Sequence, residues 1–183
     1  RPDWCVVDLD PKEAPFSHVV RVAREIRSLA DEIGLESFVK TSGATGLHVL
    51  FPLGGQCTYE QSRALGELVS RVIAGRLPEI STITRTIRAR GGRVYLDYLQ
   101  NRHGQTIVAP FSVRPLPGAP VSTPLSWSEV GPGLDPKRFT IRTVPARMRR
   151  KRDPLLPVLN GSPDLLAALA RLAGIVEKTG RGP

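Results

Sequence analysis

Two aspartates one residue apart, Asp8 and Asp10, are the first residues in this chain whose types and spacing suggest chemistry, and a third, Asp97, lies far away in sequence. In the run Trp4-Cys5-Val6-Val7-Asp8-Leu9-Asp10 an extended backbone sends alternate side chains to opposite sides. Cys5, Val7 and Leu9 then face a core, and Val6, Asp8 and Asp10 face outward. Carboxylates held this close repel one another unless something positive sits between them. A divalent cation with hard oxygen ligands is the natural occupant. A D-x-D at a strand end is also found as a plain solvated pair, so the metal reading leans on the rest of the chain.

That context is suggestive. Three carboxylates on adjacent strands suit two Mg²⁺ or Mn²⁺ ions, which serve phosphoryl and nucleotidyl transfer. The run Ser42-Gly43-Ala44-Thr45-Gly46 is a tight turn between two strand-like stretches. Backbone N–H groups and hydroxyls over Ser42, Gly43, Thr45 and Gly46 could cradle a triphosphate, because successive turn amides form an anion nest. The same run also reads as an ordinary hairpin. His48 falls on the face predicted for the aspartates, which favours a phosphate contact over a plain sheet histidine. Arg90 and Arg114 are candidates to clamp phosphates through charge-assisted bonds. Arg85, Arg88 and Arg93 read as nucleic-acid contacts or solvated charge. So does the run Arg147, Arg149, Arg150, Lys151 and Arg152, which would track a DNA backbone through counterion release. Tyr95, Phe111 and Trp127 could stack bases, with an anchoring role the stronger reading for Trp127.

The elements that must position these residues follow from periodicity. A buried strand covers 6–9 and ends at Asp10-Pro11. Ser17 reads as an N-cap. Val19, Val22, Ala23, Ile26, Leu29, Ala30 and Ile33 recur at helical spacing, and Gly34 closes that helix. Strands are predicted over 37–41 and 47–53. A second helix starts at Thr58, with Gln61 at capping-box spacing, and carries Leu65, Leu68, Val69, Val72 and Ile73. An extended stretch covers 80–87, a strand carrying Asp97 covers 94–98, and a short strand covers 106–109. The order β-α-β-β-α-β matches the split βαβ, or ferredoxin-like, unit. The expected fold is therefore α+β, an RRM-like catalytic sheet over 1–114 with both helices on one face. On the open face Asp8, Asp10, His48 and Asp97 converge if the Asp97 strand lies beside the first. Residues 115–183 form an irregular, proline-broken, basic extension that packs on the same domain and runs over the surface. It ends in a helix from Ser162-Pro163 with Leu165, Leu166, Leu169, Leu172 and Val176 as its stripe, and a frayed tail at 180–183.

The chain's 183 residues suffice for a real core, and its net charge of +9 points to a polyanionic partner, nucleic acid first. No apolar run is long enough to span a bilayer, so no membrane partner is expected. Two cysteines without zinc or disulfide spacing fit a reducing cytoplasm.

The segments V-D-L-D-P at 7–11, T-S-G-A-T-G-L-H-V at 41–49 and Y-L-D-Y-L-Q-N at 95–101 resemble the three motifs of the archaeo-eukaryotic primase superfamily. The closer resemblance is to the polymerase domain of the bacterial end-joining ligase, ligase D. T-I-V-A-P-F-S-V-R at 106–114 and A-P-V-S-T-P-L-S-W at 119–127 resemble that domain too. The resemblance implies a DNA-directed nucleotidyltransferase that adds nucleotides, often ribonucleotides, to a 3′-OH at broken or gapped DNA during non-homologous end joining. It implies two Mn²⁺ or Mg²⁺ ions on Asp8, Asp10 and Asp97, with Asp97 helping to deprotonate the 3′-OH. Ser42 and His48 match positions near the triphosphate, and Arg90, Gln100 and Arg114 match positions near the nucleotide and metals. A DNA ligase domain and an end-binding Ku-type protein are the implied partners, and the nucleoid of a bacterium or archaeon is the implied setting. The chain departs from the pattern at Thr45, where many relatives carry a lysine, and in having only Arg1-Pro2-Asp3 before the first motif. Such domains carry an N-terminal module there that recognises a 5′-phosphate, so a truncated, split or minimal form is the expectation.

Two other function classes compete. A non-catalytic nucleic-acid-binding module, or an inactive fragment of such a polymerase, would use the same sheet with exposed aromatics. A two-metal nuclease or cyclase would use similar carboxylates.

Overall fold

The strand predicted around the first two aspartates forms as β1 (Trp4–Asp10) in a computed structural model that describes residues 1–180. It is followed by α1 (Phe16–Ile33), β2 (Phe38–Thr41), β3 (Leu47–Pro52), α2 (Tyr59–Arg76), β4 (Ser81–Thr82), β5 (Val94–Asp97), β6 (Pro124–Leu125), α3 (Val144–Arg150) and α4 (Leu165–Gly180). The fold is mixed α+β with one six-stranded sheet in the order β4-β5-β1-β3-β2-β6. β1 pairs antiparallel with β3 on one side and β5 on the other. The Asp97 strand is thus the neighbour of the D-x-D strand.

Sequence explains most of these elements. Val19, Val22, Ala23, Ile26, Leu29, Ala30 and Ile33 are all buried along α1. Each fully buried Val, Ile or Leu side chain here contributes about 1.5–3 kcal/mol. Gly34 ends α1 in the left-handed region, φ 70°, and its N–H reaches the carbonyls of Ala30 and Asp31. The helix starts earlier than a Ser17 cap implies. Pro15 holds the cap position at φ −58°, ψ 142°, with no side-chain cap, and Ser17 falls inside the first turn. The α2 capping box forms as expected, with Thr58 Oγ1 accepting from the Gln61 N–H and Gln61 Oε1 accepting from the Thr58 N–H.

Cys5, Val7 and Leu9 join Val49, Phe51 and Leu96 in the main core beneath α1 and α2. The opposite face is only half open, a correction to the expectation. Val6 and Leu50 are buried there with Leu155 and Val158, and Trp4, Phe38 and Ile107 pack around them. The segment after Pro110 is not confined to the surface either. β6 adds an edge strand beside β2, and Ser122 and Thr123 are fully buried. Residues 106–109 form no strand. They cross the sheet face instead and line the spaces above it. In α4, Leu165, Ala168 and Leu172 are buried, and the helix packs on α1 and α2. Leu166, Leu169 and Val176 are exposed, so the predicted stripe is displaced by part of a turn. Of the predicted tail, Gly180 ends α4 and residues 181–183 lie outside the described residues. Among the described residues no helix is long and apolar enough to cross a membrane.

Candidate active site

Strand register builds the site as a row across the sheet. Lys40 on β2 stands opposite His48 on β3, His48 opposite Asp8 on β1, and Asp8 opposite Asp97 on β5. Asp10 lies two residues beyond Asp8 on the same face, since β1 alternates. The row opens into a cleft of about 500 Å³ lined by Asp8, Asp10, Ser42, Thr45, Gly46, His48, Gln100, Thr106 and Arg114, among others.

Each side chain in the row is held. His48 Nε2 lies 3.4 Å from Asp8 Oδ1. Lys40 Nζ lies 2.8 Å from His48 Nδ1 and donates to Ser122 Oγ at 2.7 Å. Asp97 Oδ1 accepts from the Leu99 N–H at 2.9 Å and Asp97 Oδ2 from Gln100 Nε2 at 3.0 Å. Arg90 Nη1 donates to Asp10 Oδ2 at 2.8 Å, and its guanidinium lies over the Tyr95 ring at 4.3 Å. Tyr95 is buried beneath it, so the base-stacking role considered for Tyr95 is excluded by packing.

The electrostatics show what the cleft lacks. The Asp8 carboxyl is pushed up to about 7, chiefly by burial and then by the charges of Asp97 and Asp10. Burial pulls Lys40 down to about 7, against the pull of Asp8. Burial, then the positive charges of Lys40 and Arg114, hold His48 far below the ordinary histidine range. His48 is therefore a neutral imidazole. Among the described residues, no three His, Cys, Asp or Glu side chains sit as a ready-made metal cage. Arg90 draws Asp10 to itself, and Gln100 and the Leu99 N–H hold Asp97. The donor set nonetheless fits a hard divalent ion. It comprises three carboxylates on one face of adjacent strands, and burial with their mutual repulsion outweighs the opposing charges of Lys40 and Arg114 at Asp8.

The Ser42–Gly46 turn is a hairpin with a specific interior. Ser42 Oγ accepts from the N–H groups of Ala44 and Gly46 at 3.1 and 3.0 Å, so those two amides are not free for an anion. Arg114 Nη1 caps the Ser42 carbonyl at 3.3 Å. At Gly43, φ is +73° and an added Cβ would meet Arg114 Cγ at 2.8 Å. At Gly46 an added Cβ would run into the Leu9 carbonyl oxygen of β1. The glycines let the turn lie against the D-x-D strand and keep Arg114 over it.

The model of the LigD primase-polymerase domain matches residues 1–155. The chain belongs to that family. It is 38% identical over 156 residues to the bifunctional non-homologous end joining protein LigD of Bacillus subtilis, covering 84% of this chain and 26% of that protein. It is 34% identical over 149 residues to the multifunctional LigD of Pseudomonas aeruginosa, covering 81% of this chain and 18% of that protein. The chain thus spans only a minor part of these relatives. A solved polymerase domain of Mycobacterium tuberculosis ligase D, in complex with DNA, superposes with a TM-score of 0.81 at 32% identity, covering 88% of this chain and 56% of that one.

In this LigD primase-polymerase domain the remaining predicted residues divide. Arg85 and Arg88 are exposed beside Arg90, whose Nη2 holds the Arg85 carbonyl. Arg149, Arg150, Lys151 and Arg152 are exposed and do not line the cleft. Two other arginines have structural work. Arg93 donates from Nε to the Arg90 carbonyl at 2.7 Å and bolts the turn that carries Arg90. Arg147 forms a two-pronged pair with Glu129, at 2.7 Å for its Nη2–Oε2 arm. Trp127 is an anchor, its Nε1 donating to the Ser37 carbonyl at 2.8 Å. Sequence reasoning missed Lys40 and Asn101. Asn101 takes the Val6 N–H on Oδ1 at 2.8 Å and donates from Nδ2 to the Val6 carbonyl at 2.7 Å, standing in for a strand beside β1.

Proposed function

We propose that this domain transfers nucleotides to 3′-OH ends of broken or gapped DNA, on a central four-stranded β5-β1-β3-β2 unit of ferredoxin-like type. One observation carries the reading: Asp8 and Asp97 are register partners, Asp10 shares their face, and Asp8 and Asp10 line a cleft that also presents Ser42, His48, Arg114 and Gln100, the last of which holds Asp97. Asp8, Asp10 and Asp97 would hold Mn²⁺ or Mg²⁺. When bound, two such ions supply charge neutralisation for the departing pyrophosphate and acidify the attacking hydroxyl.

The chain's own residues supply the rest. Arg114 and the exposed Thr45 hydroxyl meet the triphosphate, and His48 donates to it as a neutral imidazole. The Thr45 N–H, which has no hydrogen-bond partner among the described residues, is available to the same phosphates. Gln100 and Arg90 orient Asp97 and Asp10 toward the reacting end. Asp97 accepts the proton as the 3′-oxygen bonds to the α-phosphorus and the bond to pyrophosphate breaks. Arg85, Arg88, Arg149, Arg150, Lys151 and Arg152 attract the DNA backbone. The solved neighbour's complex with DNA supports that partner, and ribonucleotide use, a ligase domain and a Ku-type partner are proposed along with it.

The test is primer extension on gapped DNA with Mn²⁺, run beside a DNA-cleavage assay. Asp8→Ala and Asp10→Ala should each lose extension by about a thousandfold or more while keeping the wild-type circular dichroism spectrum. Extension retained by both variants removes the metal assignment, and cleavage without extension moves the domain to the nucleases.

A further inference from the structure

We propose that Lys40 is a positioning residue that fixes the His48 imidazole in its Nε2–H form and turns that N–H toward Asp8 and the cleft. The inference rests on the nucleotide reading above only for its kinetic consequence.

Lys40 is the most deeply buried charged side chain among the described residues, at 1% exposure. Burying a lysine is costly unless its donors are matched. Its partners decide the proton positions around it. Ser122 Oγ donates to the Thr41 carbonyl at 2.8 Å, so its lone pairs face Lys40 and must accept from Nζ. An ammonium has three donors and no acceptor. In that charged form, held below about pH 7, Nζ at 2.8 Å from His48 Nδ1 requires that nitrogen to accept, and the Asp8 carboxylate oxygen beside Nε2 draws the ring proton to that other side. A doubly protonated imidazolium is excluded for the same reason, and the one ring proton resides on Nε2. That nitrogen is the one 3.4 Å from Asp8 Oδ1, on the side of the ring that lines the cleft.

The arrangement depends on the segment after the cleft strands. The Thr41 N–H donates to the Thr123 carbonyl at 2.9 Å, and the Thr123 N–H donates to Thr41 Oγ1 at 2.8 Å. These bonds dock residues 121–125 on β2 and bring Ser122 under Lys40. Lys40 does not touch the cleft itself, since it is absent from the cleft lining while His48 is present. Its effect therefore passes through the histidine.

The experiment is long-range ¹H–¹⁵N correlation on the metal-free domain below about pH 7, where Lys40 is charged, with the His48 ring signals assigned by their loss in His48→Asn. The wild type should show the proton on Nε2, and Lys40→Met should show a mixture or the Nδ1–H form. A wild-type proton on Nδ1, or an unchanged ring in Lys40→Met, overturns the proposal. A merely structural lysine would alter stability and leave the tautomer alone. Should Lys40→Met fail to fold, the wild-type spectrum still decides, and Lys40→Gln, which keeps an N–H donor, should retain the Nε2–H form. In extension assays Lys40→Met should raise the nucleotide KM about tenfold with a smaller change in kcat, the effect of one misdirected hydrogen bond. A changed tautomer with an unchanged KM upholds the role of Lys40 and removes His48 from the nucleotide contacts.

Discussion

The two halves of one sheet face differ more than the two faces do. Val6, Asp8 and Asp10 alternate out of β1 on the same side, yet Val6 is buried under Leu155 and Val158 while Asp10 is 41% exposed. Across from Val6 stands Leu50, and across from Asp8 stands His48. Both halves pair with β3 in one continuous antiparallel register. What differs is the desolvation that a cover would impose. An apolar pair gains by being covered, so residues 155–158 settle there. A row of carboxylates loses several kcal/mol per unpaired charge removed from water, so the chain stays clear and leaves a cleft. Chain alternation chooses the face, and side-chain chemistry chooses which part of that face stays open for a ligand.

The most severe way to break this contrast is to put a charge in the covered half. Val6→Asp places a carboxylate at a 2% exposed site whose neighbours are Leu50, Leu155 and Val158. It should destabilise the domain by about 3–5 kcal/mol, measured by urea denaturation. An effect below about 1 kcal/mol would mean that residues 155–158 lift away freely, and the distinction between the halves would dissolve.

The same contrast explains what the sequence disclosed. Alternation and helical periodicity placed Asp8, Asp10, both covering helices and the α2 capping box, because those depend on neighbours within a few residues. The 42–46 hairpin also carried a readable consequence that went unread. A loop closing Thr41 on Leu47 puts Lys40 opposite His48. The cover over Val6 was not readable, because it depends on contact between β1 and residues near 155. Asn101 gave no signal either, since a lone asparagine after a strand pairs with Val6 only through tertiary placement. Among arginines, composition could not separate Arg147, committed to Glu129, from its exposed neighbours Arg149 and Arg150.

In the open half, removing a charge should have the opposite sign. The Asp8 carboxyl sits at about 7 in the fold because of burial first, then Asp97 and Asp10, against about 3.9 in an unfolded chain. The native state therefore holds this proton more tightly. The stability that the proton confers is complete below about pH 4 and is lost as pH rises through 7. Asp8 is 26% exposed, and solvent screening brings the loss to about 2 kcal/mol. Metal-free Asp8→Asn should melt about 4–8 °C above the wild type at pH 8 and level with it near pH 4. Mg²⁺ should raise the wild-type Tm at pH 8 and leave the variant's unmoved. Equal melting at pH 8 without metal would show that the three carboxylates do not strain the fold.

The smallest expected effect lies outside both halves. Arg149, Arg150 and Arg152 are exposed at and beyond the end of α3, whereas Arg147 in the same helix is pinned by Glu129 together with Lys151. Replacing the three exposed arginines by alanine should leave the Tm within about 1 °C, since solvated charges contribute little to stability. Affinity for gapped DNA should fall uniformly across sequences, and the slope of log affinity against log salt should flatten by about 2–3. An unchanged slope would take this run out of the DNA path and leave the exposed Arg85 and Arg88, next to Arg90, as the basic contacts. Arg147→Ala separates the two kinds of arginine. Breaking its pair with Glu129, which holds that carboxyl far below the ordinary range, should lower Tm while leaving the salt slope as it was.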